Sequence, residues 1–324
     1  MPRVKCTIRR VTTQQRRIER ERLGRLGDLT VMPATLARYQ SAVERFLGFL
    51  SQHDLPYPCT YARCDELVCL FFNELWEAGD PRGWASDVLS GLVHFIPGLR
   101  SHLNGAWRLH KAWGRAELPA RAPPLSCLYV HALAAWASRE GLFDTMILLL
   151  LGFHAYLRSG ELFSLRQQCL QLQASTGRGV VSLPLTKSGQ RLGVQESVTL
   201  DDAWLVRLCA MYAKRLQPGD FLSQVTPKGQ RERLQRGCRA LGLDHGYRWY
   251  SLRRGGATHD FRASGDLDAV TVRGRWGSQR TARLYLNDGL ARLHELQGEP
   301  AARRRLIEQA TAFRPGLSSL PNAF

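Results

Sequence analysis

The sequence predicts a mainly α-helical protein with a small β-hairpin or sheet, divided into two domains. Three observations support this prediction. A chain of 324 residues fits two domains of ordinary size. Apolar residues recur at spacings of three and four along most of it, which is typical of amphipathic helices. A proline-rich stretch at 117–124 interrupts that pattern and predicts an extended linker between the domains.

Before the linker we predict a basic arm followed by a helical domain. Residues 1–28 hold nine basic residues against three acidic ones. Such a composition is found in solvated tails, and also in segments that contact DNA or direct localisation. Residues 29–116 carry four amphipathic patterns separated by breakers such as Gly79-Asp80-Pro81. We therefore expect a four-helix domain at 29–116.

Beyond the linker the helical pattern resumes, and we predict a larger domain at 125–290. One of its predicted helices covers 160–169. From Gly179 onward, two short apolar runs flank a Ser-Gly turn at 188–189, which predicts a β-hairpin. The chain then returns to helical spacing. Residues 291–324 form a C-terminal tail.

The charge of the chain indicates its class of partner. The formal net charge is +17, from 45 lysines and arginines against 28 acidic residues. Because Lys and Arg neutralise phosphates, this excess predicts a polyanionic partner such as nucleic acid. A content of 44% hydrophobic and 23% charged residues is ordinary for a globular protein and excludes a collagen-like or wholly disordered chain.

The motifs that are missing from the sequence exclude several other classes. The eight cysteines form no CxxC pair, so we expect reduced thiols and a location in the cytoplasm or nucleus. The longest apolar run, 146–153, is shorter than the roughly 20 residues that a bilayer requires, so we expect no membrane partner. With no GxxxxGK[ST] or HExxH motif, a zinc or nucleotide enzyme is excluded, and we expect no cofactor and no metal.

Three short segments hold residues that could act on a phosphate. The first places Arg158 three residues before Glu161 at the start of a helix. The second places Arg253 and a further arginine beside two glycines, which would let the chain approach a phosphate closely. In the third, Trp276 precedes Tyr285 by nine residues. Taken alone, the first and third segments favour a structural role, as a capped helix and a core or surface tyrosine, and the second could be a Gly-rich helix start beside a basic surface.

Taken in order, these residues resemble the tyrosine recombinase, or phage integrase-type, family. That family has an Arg followed by an acidic residue, a Lys on a β-hairpin, a His-x-x-Arg motif, a His or Trp, and nine residues later a Tyr nucleophile. The matching residues here are Arg158, Glu161, Lys187, Arg253, Trp276 and Tyr285. The match covers about 125–290, and the helical domain before the linker looks like the family's SAM-like core-binding domain. Recombinases of eukaryotic mobile elements look most similar.

One position departs from the family pattern. The histidine of His-x-x-Arg is Tyr250 in this sequence. A tyrosine hydroxyl can donate a hydrogen bond, but its pKa near 10 makes it a poor base at neutral pH. We therefore expect the substitution to affect the rate of the reaction more than the fold.

The resemblance implies a site-specific recombinase or integrase that works without metal or ATP. Tyr285 would attack a DNA phosphate and form a covalent 3′-phosphotyrosine intermediate. Arg158 and Arg253 would bind the non-bridging oxygens and stabilise the charge of the transition state. Lys187, on the hairpin, would protonate the leaving 5′-oxygen.

The resemblance also implies supporting roles and partners. Trp276 would donate its indole N–H to the phosphate, and Glu161 would orient the pocket, for example by holding an arginine or Tyr250. The two domains would form a clamp around double-stranded DNA. The tail at 291–324 would dock on a neighbouring protomer, and four protomers would join two sites.

Three alternatives remain open from the sequence. Tyr250 favours a catalytically weakened, domesticated family member that binds DNA without recombining it. A type IB topoisomerase-like activity would use the same chemistry for relaxation. A helical DNA-binding or scaffold protein would have no active site, and the ordered set that ends at Tyr285 argues against it.

Overall fold

The computed structural model describes residues 12–119, 121–184, 189, 194–243, 246–297 and 299–317. The chain divides into two compact units, and the division falls between residues 120 and 121. That position lies inside the predicted linker at 117–124. The predicted domain boundaries stay predictions.

The N-terminal unit consists of helices joined by short turns. Its helices are α1 (Thr13–Leu23), α2 (Pro33–Gln52), α3 (Tyr61–Glu77), α4 (Gly83–Phe95) and α5 (Asn104–Ala116). Helices α2 to α5 match the four predicted patterns, whereas α1 lies within the predicted basic arm. It buries no residue and begins with a capping box, in which Thr12 and Gln15 exchange hydrogen bonds of 2.9 and 3.2 Å. The likeness of this unit to a core-binding domain stays a prediction.

Aromatic and leucine side chains form the core of the N-terminal unit. Phe46 of α2 and Phe71 of α3 are buried with ring centroids 5.6 Å apart. Each such side chain contributes about 1.5–3 kcal/mol by leaving water. Asp65 of α3 also fixes the start of α5, because its carboxylate accepts the backbone N–H groups of Gly105 and Ala106 at 2.7 and 2.9 Å.

The C-terminal unit is helical with one small sheet. Its helices are α6 (Cys127–Arg139), α7 (Phe143–His154), α8 (Ser159–Leu162), α9 (Ala203–Ala213), α10 (Pro227–Ala240), α11 (Trp249–Ser264), α12 (Leu267–Arg273), α13 (Gln279–Arg283), α14 (Asp288–Gln297) and α15 (Pro300–Phe313). Helices α6 and α7 are almost completely buried and form the centre of the core.

The sheet has three antiparallel strands in the order β1 (Leu170–Gln173), β2 (Arg178–Ser182) and β3 (Ser197–Leu200). The predicted pairing of β2 with β3 is present. Most of the connection between these two strands, including the predicted turn, lies outside the described residues.

The prediction of a helix over 160–169 was wrong. The helix ends at Leu162, and a short 3₁₀ turn at Gln167–Cys169 leads into β1. The backbone bonds elsewhere: the Gln167 N–H donates to the Asp220 carbonyl at 2.8 Å, and Leu165 accepts from Leu222 at 2.9 Å. This long-range pairing overrides the local helical pattern.

The described part of the C-terminal tail lies against its own unit. Leu306, Ala310 and Leu317 are buried in the same core as α6. The Arg314 guanidinium donates to Asp202 at 2.5 Å and to His131 at 3.0 Å. Docking of the tail on a neighbouring protomer stays a prediction.

None of the helices in the described ranges is both long and apolar enough to cross a membrane.

Candidate active site

Arg253 is held in the interior by backbone oxygens. It lies on α11 and is completely buried. One terminal nitrogen donates to the carbonyl oxygen of Tyr156, and the other donates to that of Gly274 at 2.6 Å. Burial, together with the charges of Arg158 and Arg275, lowers the pKa of Arg253 to about 10. The guanidinium is therefore fixed in position and is only partly compensated by the neutral carbonyls.

Two glycines allow α11 to pack closely enough against its neighbours to bury Arg253. A Cβ atom on Gly255 would lie 1.9 Å from the carbonyl oxygen of Leu125, and one on Gly256 would lie 2.0 Å from that of Phe153. Only glycine permits such close backbone packing. Both glycines are buried and allow α11 to pack against its neighbours. The expectation that they let the chain approach a phosphate closely stays a prediction.

Arg158 and Glu161 form a tight pair at the start of α8. The Glu161 carboxylate accepts the backbone N–H of Arg158 at 2.9 Å and its guanidinium at 2.6 Å. The Glu161 side chain is almost completely buried, whereas 29% of the Arg158 side chain is exposed. Burial alone would raise the pKa of Glu161, but hydrogen bonds and charges from Arg275 and Arg158 outweigh it and lower the pKa. Glu161 is thus an ionised group that holds arginines.

Three aromatic side chains gather beside Arg253. The Tyr250 hydroxyl donates to the Tyr285 hydroxyl at 2.6 Å. The ring centroids of Trp276 and Tyr285 are 4.6 Å apart. The Arg253 guanidinium carbon lies 4.7 Å from the Trp276 centroid and 5.3 Å from the Tyr285 centroid. Residues from α11, from the turn after α12 and from the turn after α13 therefore meet around one hydroxyl.

This environment favours ionisation of Tyr285. Burial opposes ionisation, but the hydrogen bond from Tyr250 and the charges of Arg253 and Arg158 outweigh it and lower the pKa of Tyr285. The indole N–H of Trp276 also faces this hydroxyl and favours the anion, although it makes no well-aligned hydrogen bond. Burial and the bond to Tyr285 raise the pKa of Tyr250 to about 12. Of the two phenols, Tyr285 is the one that ionises more readily.

No family model and no curated protein matches the sequence. Solved structures do match the fold. The site-specific recombinase XerH, bound to a palindromic difH substrate in a post-cleavage complex, is 16% identical with a TM-score of 0.54, over 85% of this chain and 78% of that chain. A lambda integrase dimer bound to a COC' core site is 15% identical with a TM-score of 0.54, over 86% of this chain and 78% of that chain. The chain has the tyrosine recombinase fold.

Within the tyrosine recombinase fold, the site has the chemistry of an anion site. The buried Nε of Arg253 and Nε1 of Trp276 have no hydrogen-bond partner in the described residues, although both are donors. Such donors are favourable only when an acceptor reaches them. The Glu161 carboxylate acts on Arg253 by its charge, but it is already paired with Arg158 and Arg275. No group of three or more metal-ligating side chains is found within the described ranges.

The backbone next to Tyr285 is also held by arginines. Arg254 and Arg121 both donate to the carbonyl oxygen of Leu284, at 2.9 and 3.0 Å. Burial, with the nearby charge of Arg121, lowers the pKa of Arg254. The sequence interpretation did not assign these contacts, because Arg121 and Leu284 are far apart along the chain and carry no local pattern.

The sequence interpretation also missed Arg275. This residue directly precedes Trp276 and forms ion pairs with Glu161 at 2.9 Å and with Glu196 at 3.4 Å. The available signal in the sequence was its position between Gly274 and Trp276, next to a predicted site residue. Nothing local indicated that it would point into the interior.

The structure thus brings together six of the seven predicted site residues: Arg158, Glu161, Tyr250, Arg253, Trp276 and Tyr285. Lys187 lies outside the described residues, and its role stays a prediction.

Proposed function

We propose that this protein is a site-specific DNA recombinase or integrase that cleaves and rejoins strands through a covalent 3′-phosphotyrosine at Tyr285. The observation that carries the proposal is the Tyr285 hydroxyl. It is bonded to Tyr250 at 2.6 Å and flanked by Arg253 and Trp276, in a tyrosine recombinase fold. The two similar structures are bound to DNA, to a difH substrate and to a core site, which supports DNA as the substrate here.

The proposed cleavage step is an in-line displacement. The Tyr285 hydroxyl first gives its proton to solvent water. Its oxygen then forms a bond to phosphorus as the bond from phosphorus to the 5′-oxygen breaks. The leaving 5′-oxygen takes a proton, which we assign to Lys187. A different 5′-hydroxyl then attacks the phosphotyrosine and releases Tyr285. Because each step exchanges one phosphate ester for another, no ATP is consumed.

The arginines would stabilise the charge that develops on the phosphate. Arg158 keeps a partly exposed guanidinium, and Arg253 has a buried Nε donor without a partner in the described residues. Preorganised donors of this type typically supply about 10²–10³-fold in rate each. The Trp276 indole N–H would add a neutral donor. No step in this scheme requires a metal ion.

Tyr250 supports a second candidate function, that of a DNA-binding protein with weakened catalysis. It bonds to the nucleophile, whereas the family's histidine at this position hydrogen-bonds the scissile phosphate. A weakened, DNA-binding family member would therefore retain the fold and binding but lose covalent chemistry. A type IB topoisomerase-like activity would differ only in relaxing supercoils without exchanging strands.

We propose double-stranded DNA as the partner, with four protomers on paired sites. The net charge of +17 predicts binding that weakens steeply with salt. The seven described cysteines are all free, which supports the proposed nuclear or cytoplasmic location.

Covalent trapping tests the proposed function. The protein is incubated without metal with nicked suicide duplexes drawn from DNA flanking its own gene, and adducts are resolved under denaturing conditions. We expect a protein–DNA adduct that Tyr285→Phe abolishes while DNA binding is kept. Tyr57→Phe, a change of the same kind at an exposed tyrosine of the N-terminal unit, serves as the matched control and should leave the adduct unchanged.

Tight, salt-sensitive binding without any adduct across these duplexes would favour the DNA-binding alternative. Relaxation of supercoiled plasmid without exchange between two duplexes would favour the topoisomerase alternative.

A further inference from the structure

Arg275 occupies the centre of a buried chain of four charges. Its guanidinium donates to Glu161 at 2.9 Å and lies 3.4 Å from the Glu196 carboxylate. Glu161 in turn holds Arg158 at 2.6 Å. The side chains of Arg275, Glu161 and Glu196 are exposed by only 8%, 6% and 9%. Buried charges are favourable only when paired in this way, so the four positions depend on one another.

The backbone of Arg275 is in a conformation that glycine adopts more easily. Its φ is +55°, in the left-handed region. Such strain persists where surrounding contacts over-determine the conformation, and it is concentrated at functional sites. Two backbone bonds at the end of α12 hold this turn, from the Arg275 N–H to the Val272 carbonyl oxygen at 3.0 Å and from the Trp276 N–H to that of Thr271 at 3.1 Å. The two ion pairs with the glutamates hold the side chain.

The neighbours of Arg275 along the chain belong to the proposed site. The carbonyl oxygen of Gly274 accepts the Arg253 guanidinium at 2.6 Å. Trp276 packs its ring 4.6 Å from that of Tyr285. The direction of the chain at Arg275 therefore fixes both an arginine acceptor and the aromatic neighbour of the nucleophile.

At its other end the charge chain reaches the sheet. Glu196 directly precedes β3, and its carbonyl oxygen accepts the Leu183 N–H at 2.9 Å. This pair closes the base of the β2–β3 connection, the segment of sequence that contains Lys187. Arg275 thus links that base to the arginine and tyrosine side of the site.

We propose that Arg275 is a positioning residue that fixes Arg158, the Trp276–Tyr285 segment and the base of the β2–β3 connection in one arrangement. It also pairs with Glu161 from a second side, so that two cations face one carboxylate and the local potential favours a phosphate. This inference rests on the proposed function. It assigns to Arg275 no direct contact with DNA.

The decisive variant is Arg275→Gly, because glycine accepts the left-handed backbone and removes only the side chain. Misplacement of reacting groups by about 1 Å can cost about 100-fold in rate. We expect covalent capture of the suicide duplex to slow by about 100-fold, with DNA affinity unchanged. Arg275→Lys keeps the charge but not the two-pronged geometry and should restore the rate in part.

The pH profile separates positioning from a general loss of stability. The charged groups around Glu161 are Arg158 on its own turn, Arg253 on α11, and Arg275 with Glu196 beyond it. Removing Arg275 takes away one cause of the low pKa of Glu161, so that pKa rises. Glu161 then becomes protonated at higher pH, and the acid limb of the capture rate moves to higher pH.

Arg233→Gly is the matched control. Arg233 also pairs with a carboxylate, that of Asp144, and its side chain bonds to Asp144 and Thr145, which are not proposed site residues. It should lower thermal stability without moving the acid limb of capture. If Arg275→Gly does not fold, Glu196→Gln decides in its place: it should slow capture, and the double variant with Arg275→Lys should slow it by less than the product of the two separate factors.

One outcome would overturn the role of Arg275 and leave the proposed function intact. In that outcome Tyr285→Phe abolishes covalent capture, whereas Arg275→Gly and Glu196→Gln change neither the capture rate nor its acid limb. An absence of capture by the wild-type protein would overturn both.

Discussion

The two units of this protein differ in how many polar and charged side chains they bury. Among the described residues of the N-terminal unit, His110 is the one polar or charged side chain that is buried. The C-terminal unit buries many, among them Glu161, Arg253, Arg254 and Arg314. Burying a charge opposes folding unless it is paired and hydrogen-bonded. A unit that nevertheless does so repeatedly must hold those groups by long-range contacts.

The two units are therefore stabilised in different ways, one by apolar packing and the other by specific hydrogen bonds to buried polar groups. The N-terminal unit depends on Phe46, Phe71 and similar apolar side chains, which any well-packed core can supply. The C-terminal unit depends on specific acceptors, such as the carbonyl oxygens that hold Arg253. We expect changes in the first unit to affect stability alone, and changes around Arg253 to affect stability and chemistry together.

The largest effect should come from Arg253→Lys. A lysine cannot donate to the carbonyl oxygens of Tyr156 and Gly274 in the same fork, and with three N–H donors instead of five it leaves fewer for a phosphate. We expect the rate of covalent capture to fall by about 10²–10³-fold. Arg45→Lys in the N-terminal unit, where Arg45 stacks on Trp84, is the control. It should leave the capture rate at saturating DNA unchanged.

Capture by Arg253→Lys at the wild-type rate would break the comparison. It would mean that the buried arginine serves the core and not the reaction.

A second test concerns the close packing of α11. In Gly255→Ala the new Cβ would meet the Leu125 carbonyl oxygen at 1.9 Å, and backbone atoms cannot move aside cheaply. Overpacking of this kind costs about 3 kcal/mol or more in the free energy of unfolding. Denaturant unfolding followed by circular dichroism measures it. A cost below about 1 kcal/mol would show that α11 can shift, against the rigid site described above.

A smaller effect is expected from Tyr250→Phe. The variant removes the hydrogen bond that favours the Tyr285 anion, so the pKa of Tyr285 rises. Since the anion is the nucleophile, the capture rate should reach its plateau at higher pH, and at neutral pH it should fall by about tenfold. The pH profile of capture measures both. An unchanged profile would mean that the bond between the two hydroxyls has no role in the reaction.

The smallest effect sharpens the comparison from the side of the N-terminal unit. Gly48 lies within α2, is exposed, and has nothing within 4 Å of the position of a Cβ atom. Gly48→Ala should therefore stabilise this unit by about 0.5–1 kcal/mol through helix propensity. Thermal unfolding measures the change. A loss of stability would show that the two units differ less in packing than their cores suggest.

Much of this architecture follows from sequence periodicity. The helices that hold Phe46 and Arg253 follow local spacing, and the ordered motif from Arg158 to Tyr285 identified the side chains that meet in space. Strand β1 was missed because it pairs with β2, and because the segment before it bonds to Asp220 and Leu222 instead of continuing the helix. Local pattern carries no information about such pairing.

The missed parts of the site have the same origin. Arg275 adopts a left-handed backbone that the residue type disfavours, and its side chain pairs with Glu161 and Glu196, which lie far away along the chain. Likewise, the sequence predicts that Tyr250 is a poor base. The bond from its hydroxyl to Tyr285, however, depends on how α11 and the turn after α13 pack together.

The hydrogen bond from Arg121 to the Leu284 carbonyl oxygen has a consequence for protein engineering. Leu125, four residues later, is also anchored, because its backbone N–H donates to the carbonyl oxygen of Ser251 at 3.1 Å. The end of the linker is thus attached to the C-terminal unit from Arg121 onward. Residues inserted before Arg121 would lengthen the tether between the units without disturbing the peptide next to Tyr285. The same insertion between Arg121 and Leu125 would pull on that peptide directly.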